Sequence, residues 1–321
     1  MKKPLNYPFL AVSVALVGAF AVAGVSVAQE EPSAPPKPPT KESVEMVTRD
    51  GVVLMGTYFR AADAGRDTPV VVMLPDAGES RVAFDRLAER LTEAAEEDDA
   101  RTPMSVLSFA LRGQGDSNQV RTARGGTMSI AGERLSPAAM EAMVQQDLEA
   151  VRRFLVDRND EEELNLNRAA YFGVGMGAVV AANGAAYDWS MKDLNTGKQG
   201  KDVKALLMVS PPWKYMGLGM LNAMRQPGVR KEVAVMLMYG ANDQAASDDA
   251  EKILKQLRRG RRDEPAAAGR LPSLMEAAGR TSLQGSAWLK QGGRETEDLI
   301  MRFLEQHVAE PEFGWTQRRL N

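Results

Sequence analysis

The chain of 321 residues contains no cysteine, which excludes a disulfide framework, a thiolate nucleophile and any cysteine metal site. It contains one histidine, His307, although most hydrolytic mechanisms need an imidazole at a set place. Charge of either sign is not in excess: 40 Lys and Arg face 43 Asp and Glu, a net charge of -3. Nothing in that balance attracts a polyanion, so no nucleic-acid partner is expected. No cluster of His, Asp and Glu has metal-ligand spacing, and no metal is expected. A dinucleotide loop is lacking too. The stretch Gly173-x-Gly175-x-Gly177 follows an apolar run, but the last glycine comes two residues after the second instead of three, so no cofactor is expected. What is present is an ordinary globular balance, with 44% hydrophobic and 26% charged residues. A chain of this size buries a core without staples.

The N-terminus reads as a targeting segment. Lys2 and Lys3 precede an apolar stretch from Phe9 to Ala28, and Ser26 and Ala28 stand at the -3 and -1 positions of a cleavage site before Gln29. Residues 1–28 are expected to be a bacterial type signal peptide, which sends the protein to the periplasm or the medium. The alternative is an uncleaved membrane anchor through Phe9–Ala28, since the stretch is nearly long enough to span a bilayer. Residues 29–42 are rich in proline and charge and read as an extended linker. A single domain is expected over 43–310, followed by a polar tail, 311–321.

Within the domain, "VEMVT" and "VVLMGTYF" flank Asp50-Gly51, a hairpin signal. Apolar strands are expected at 69–75, 104–110, 169–174, 203–209 and 233–239, and a short one near 281–289. Helical patterns fall at 80–96, 136–157, 176–186, 213–224, 247–259 and 294–308. Ser136 and Pro137 form a start signal for the second of these. Near-continuous apolar strands alternating with helices imply a mostly parallel sheet covered on both faces, an α/β architecture.

Four pieces of the chain, in order, resemble the α/β-hydrolase family, nearest to its dienelactone-hydrolase-like and lipase-like members. "VVVMLPDAGES" is similar to the strand and loop that help form the oxyanion hole, with Pro75 and Asp76 where His-Gly is usual. "SFALRGQGDSN" is similar to the "D-x-R-G-H-G-x-S" loop, with Gln114 at the histidine and Ser117 in a structural role. "GVGMGA" resembles the nucleophile elbow, and "MLMYGANDQAAS" the turn that delivers the acid, here Asp243. The resemblance implies an α/β-hydrolase fold with an N-terminal β-hairpin. It also implies a degenerate triad: Gly175 at the nucleophile, Asp243 at the acid, and Gln284 at the base within "TSLQGSAWLK". Glycine offers no Oγ, and glutamine takes no proton near neutral pH. His307 lies inside the last helical pattern, too far along to serve the elbow. It is expected at the surface or near a helix C-terminus.

The residues support two readings. The first is an exported, non-catalytic protein with a binding or structural role toward an unknown small-molecule or protein ligand. The second is an active ester or acyl hydrolase with a non-standard site near Asp243 or Asp76. Pro75, Asp76, Gly175, Met176, Ser210 and Asp243 are the candidate cleft residues, because they lie at or just after strand ends on the carboxyl edge of the sheet. Asp243 also has a plain reading as a turn cap, and Ser210 as a turn serine before Pro211. The basic run 258–262 reads as a solvated helix end or, alternatively, a polyanion or membrane-surface patch.

Overall fold

The computed structural model describes residues 40–93, 101–130, 135–192, 197–259, 261 and 269–319. The expected signal segment, the anchor alternative and residues 29–39 of the linker lie outside them. Among the described residues no helix is long and apolar enough to cross a membrane.

The sheet opens with β1 (Thr40–Val47) and β2 (Val52–Arg60), paired antiparallel from Thr40↔Arg60 to Val47↔Val53. Three residues assigned to the linker, 40–42, therefore belong to a strand. Gly51 makes the hairpin possible: its φ is 90°, and a Cβ there would lie 2.5 Å from the Arg121 carbonyl. Next come β3 (Val70–Leu74), α1 (Asp85–Thr92) and β4 (Ser105–Phe109). Residues 119–129 form a hairpin of β5 (Gln119–Arg121) and β6 (Thr127–Ser129). α2 (Pro137–Ala142) starts where expected, with Ser136 Oγ accepting from Ala139 N at 3.1 Å. It runs through a π-helical turn, Met143–Asp147, into α3 (Leu148–Asp160). β7 (Ala169–Val174), α4 (Met176–Ser190) and β8 (Val203–Val209) come after it.

Residues 213–224 differ from expectation. They hold a small hairpin, β9 (Lys214–Tyr215) and β10 (Leu218–Gly219), before two short helices, α5 (Leu221–Arg225) and α6 (Pro227–Lys231). Gly217, at φ 91°, supplies the turn that breaks the helical pattern. β11 (Ala234–Gly240) leads to α7 (Gln244–Arg258). The final strand is β12 (Leu274–Gly279), earlier than expected, and α8 (Gly285–Leu304) starts where that strand was placed. Gly293, at φ 52°, kinks α8 in the middle.

The order across the sheet is β12-β11-β8-β7-β3-β4-β2-β5-β6, with β1 also on β2. Pairings from β12 to β4 are parallel and those around β2 antiparallel. Strand pleating sends alternate residues to opposite faces. Val70, Val72 and Leu74 join the core under α3, α4 and α7, whereas Val71 and Met73 join the one under α1 and α8. Both faces are thus covered, and the carboxyl ends of β3, β7, β8 and β11 converge on one edge.

The polar tail does not stand apart from the domain. Asn165 and Asn167 donate to the carbonyls of Phe313 and Gly314. Arg318, its side chain 1% exposed, makes a two-pronged pair with Asp202 at 2.8 and 3.0 Å. Hydrogen-bonding asparagines and a buried acid give a polar segment something to pack against, which composition alone does not reveal. The only cation of the run 258–262 at the end of α7 with a buried role among the described residues is Arg261. It donates to the carbonyls of Val229, Val233 and Ser273, so it is not a solvated helix end.

Candidate functional site

The site is built at the junction of β7 and α4. A strand that enters a helix through one residue needs sharp backbone turning and close approach of the two elements. Gly175 supplies the turn with φ 51° and ψ -114°, a region nearly closed to residues with a Cβ. Gly173 and Gly177 supply the approach. A Cβ on Gly173 would lie 2.5 Å from Ala178 Cα, and one on Gly177 would lie 2.3 Å from the Leu74 carbonyl. Gly175 N also donates to the Val209 carbonyl at 2.9 Å, tying the turn to the end of β8.

The loop after β3 meets this turn. A Cβ on Gly175 would lie 2.2 Å from Cγ, Oδ1 and Oδ2 of Asp76 alike. The carboxylate of Asp76 therefore fills the space that a side chain at 175 would use. Its Oδ1 accepts from Met176 N at 2.8 Å and from Ala77 N at 2.7 Å. Burial raises the Asp76 pKa above its usual value. The two amide bonds oppose that rise, and nearby Glu79 adds to it. No cation among the described residues pairs with either carboxylate.

The loop is fixed by other bonds. Asp76 N donates to Glu79 Oε2 at 3.2 Å, and Glu79 N returns to the Asp76 carbonyl at 3.1 Å. Ser286 Oγ, at the start of α8, donates to the same Glu79 Oε2 at 2.7 Å. Gly78 N donates to Gln114 Oε1 at 2.7 Å. Gln114 thus holds the loop from the side, and Ser117 ties the segment to β2 by accepting from Met55 N and donating to the Ala110 carbonyl. Arg112 anchors the same segment to the buried Asp147 of the π-helical turn, with Asp50 as a second partner.

A second cluster closes the edge. Ser210, at φ 48°, directly succeeds β8. Its Oγ donates to Gln284 Oε1 at 2.7 Å and accepts from Gly285 N at 2.8 Å. Gln284 Nε2 donates to the Gly240 carbonyl at 2.8 Å, and Gly240 N reaches Gln284 Oε1 at 3.3 Å. Gln284 is thereby a pin between the ends of β8 and β11 and the start of α8. Asp243 takes no part: its Oδ1 accepts from Ala246 N at 2.9 Å as the N-cap of α7. The structure brings Pro75, Asp76, Gly175 and Met176 into one contact set and Ser210 and Gln284 into another. It leaves Asp243 outside both.

Neither a protein-family profile nor a curated protein sequence matches the chain. Solved structures do. A thermophilic carboxylesterase cloned from a metagenomic library superposes with TM-score 0.55 at 17% identity, covering 87% of this chain and 92% of that one. An esterase of Pyrobaculum calidifontis gives 0.54 at 16%, covering 83% and 85%. An S-formylglutathione hydrolase of Agrobacterium tumefaciens gives 0.51 at 12%, covering 84% and 96%. The chain has the α/β-hydrolase fold.

In an α/β-hydrolase the oxyanion hole pairs the amide after the nucleophile with one from the loop after the third strand. By that pattern they would be Met176 N and Ala77 N in this chain. Both are in place, and both point at the carboxylate of Asp76. Gly175, expected at the nucleophile, has no side chain, and Gln284, expected at the base, is an amide whose oxygen and nitrogen are already bonded. Ser210 has no proton acceptor stronger than that amide. His307 lies in the π-helical turn, Glu305–Ala309, that continues α8, near the helix C-terminus as expected, and is half-buried with its ring 4.5 Å from that of Phe303. Burial lowers its pKa. Among the described residues no group of three His, Asp or Glu side chains has metal-binding geometry.

Asp76 stands out in the sequence as a charge at the end of β3, whereas Glu79 and Ser286 do not. The i, i+3 spacing of Asp76 and Glu79 is the signal that would have found the first, since it is the spacing of reciprocal backbone caps. Nothing local marks Ser286, whose partner lies 207 positions away.

Proposed function

We propose that this is an exported, non-hydrolytic member of the α/β-hydrolase fold that acts by binding, toward a small-molecule or protein ligand. The observation that carries the reading is the carboxylate of Asp76, seated on the two amides that would otherwise receive a developing oxyanion. Acyl transfer needs a nucleophile, a base and a place for negative charge to grow. Here the first is a glycine, the second a pinned glutamine, and the third holds a carboxylate. Export rests on the basic, apolar and small-residue order of residues 1–28. If that segment stays uncleaved, the domain is held at the membrane by Phe9–Ala28.

A hydrolase working through Asp243 has less support, because that carboxylate caps α7 and hydrogen-bonds to neither Gln284 nor Asp76. The test is labelling of the purified protein with a fluorophosphonate, read by intact mass. An unmodified mass is expected. A stoichiometric adduct would show an activated nucleophile and overturn the reading.

A further inference from the structure

We propose that Asp76 is an intramolecular plug in a carboxylate-sized hole that is otherwise intact, so that the hole takes a free small monocarboxylate once Asp76 is removed. The proposal deepens the non-hydrolytic reading, on which it rests, by naming what closes that site. Three observations carry it. Two amides from different elements converge on one oxygen of Asp76 at 2.7 and 2.8 Å, the short range of charge-assisted bonds. The plug and a side chain at 175 exclude each other, since every carboxyl atom of Asp76 lies 2.2 Å from the missing Cβ.

The third observation is that the hole does not depend on its occupant. Met176 N is fixed by α4, and the loop carrying Ala77 N is held by Gln114 on Gly78 and by Ser286 on Glu79. Deleting the carboxylate leaves both donors in position and unsatisfied. Gly285 leaves room beside them: a Cβ there would be 3.5 Å from Asp76 Oδ2. A planar anion the size of formate or acetate fits the vacated space. While Asp76 is in place, its own charge and that of Glu79 repel a second anion. The elbow of the native protein is thus closed to carboxylates and to anionic acyl-transfer intermediates.

The experiment compares thermal melts of the full-length wild type, Asp76→Gly and Asp76→Asn in sodium formate, with ionic strength held constant by chloride. Asparagine keeps an oxygen over the two amides, so it retains a neutral plug. For a site with a dissociation constant of about 10 mM, 100 mM formate multiplies the folded-to-unfolded ratio of Asp76→Gly roughly 11-fold. No formate-specific rise is expected in the wild type or in Asp76→Asn. A folded Asp76→Gly that ignores formate, or a wild type that responds equally, overturns the proposal. If Asp76→Gly is unfolded in chloride, recovery of folding in formate is the expected result and its absence overturns the proposal. Fluorophosphonate labelling of the wild type bears on the non-hydrolytic reading alone, so the two failures are distinguishable.

Discussion

Gly175→Ser places a hydroxyl at the strand-to-helix turn, yet the geometry predicts a damaged protein and not a working one. Two effects act together. A side chain at φ 51° and ψ -114° costs about 1–3 kcal/mol in backbone strain. Its Cβ also overlaps the carboxylate of Asp76, which lies 2.2 Å away. The carboxylate must rotate off Met176 N and Ala77 N, and losing those bonds costs roughly 1–3 kcal/mol. Half-exposed Asp76 recovers part of this in water, so the total is about 2–5 kcal/mol. For a domain of this size that lowers the melting midpoint by on the order of 5–15 °C. The diagnostic quantity is the coupling. Asp76→Gly alone loses the bonds, and in the double variant the serine meets no carboxylate and only the strain is added. A double-mutant cycle in urea should therefore show about 1–3 kcal/mol of favourable coupling. Additivity within roughly 0.5 kcal/mol, or a Gly175→Ser midpoint equal to the wild type, would refute the overlap.

Gly175→Ser with Gln284→His should also fail to hydrolyse p-nitrophenyl acetate, because Asp243 is engaged as a helix cap and cannot orient an imidazole; turnover above the wild-type background counts against that assignment. Arg318→Ala removes the two-pronged bonds to buried Asp202, which Lys198 still meets at 3.0 Å, and should cost about 1.5–3 kcal/mol, measured by urea unfolding; a loss under about 0.5 kcal/mol would mean that this pair does not hold the tail. Asp188 has a pKa raised by burial and then by the charge of Asp202, so the folded state holds its proton more tightly than the unfolded chain does. Stability from this group is therefore lost as pH rises from the ordinary carboxylate value near 4 through the raised one. Asp188→Asn should melt higher than the wild type at pH 8 and lose that advantage as pH falls through the same window; a constant difference across pH would show that Asp188 does not titrate there.

The fold was legible because its strands are buried on both faces. "VVVML" and "AVMLMY" read as apolar runs whatever surrounds them. The strand-to-helix turn was legible because Gly173 and Gly177 are demanded by the close approach of α4 to β7 and to β3, a local steric need. The β9–β10 hairpin and the true place of β12 were not. "KYMGLG" satisfies a helical count until Gly217 turns it, and β12 is half-exposed at the sheet edge, where the apolar signal is weak. The sequence marked Asp76 as a charge in the wrong loop. That its carboxylate would seat on both amides depends on a contact across 100 positions. Asp243 as a helix cap was readable locally, and the cap is what the structure contains.

Steady-state hydrolysis of p-nitrophenyl butyrate by the purified wild-type protein separates a binding protein from a hydrolase. With no side chain at Gly175 and with Met176 N and Ala77 N bonded to Asp76, release of p-nitrophenol should match that of heat-denatured protein at every substrate concentration. Saturable turnover that vanishes in Asp76→Asn would contradict the non-hydrolytic reading, for it would make Asp76 a catalytic group.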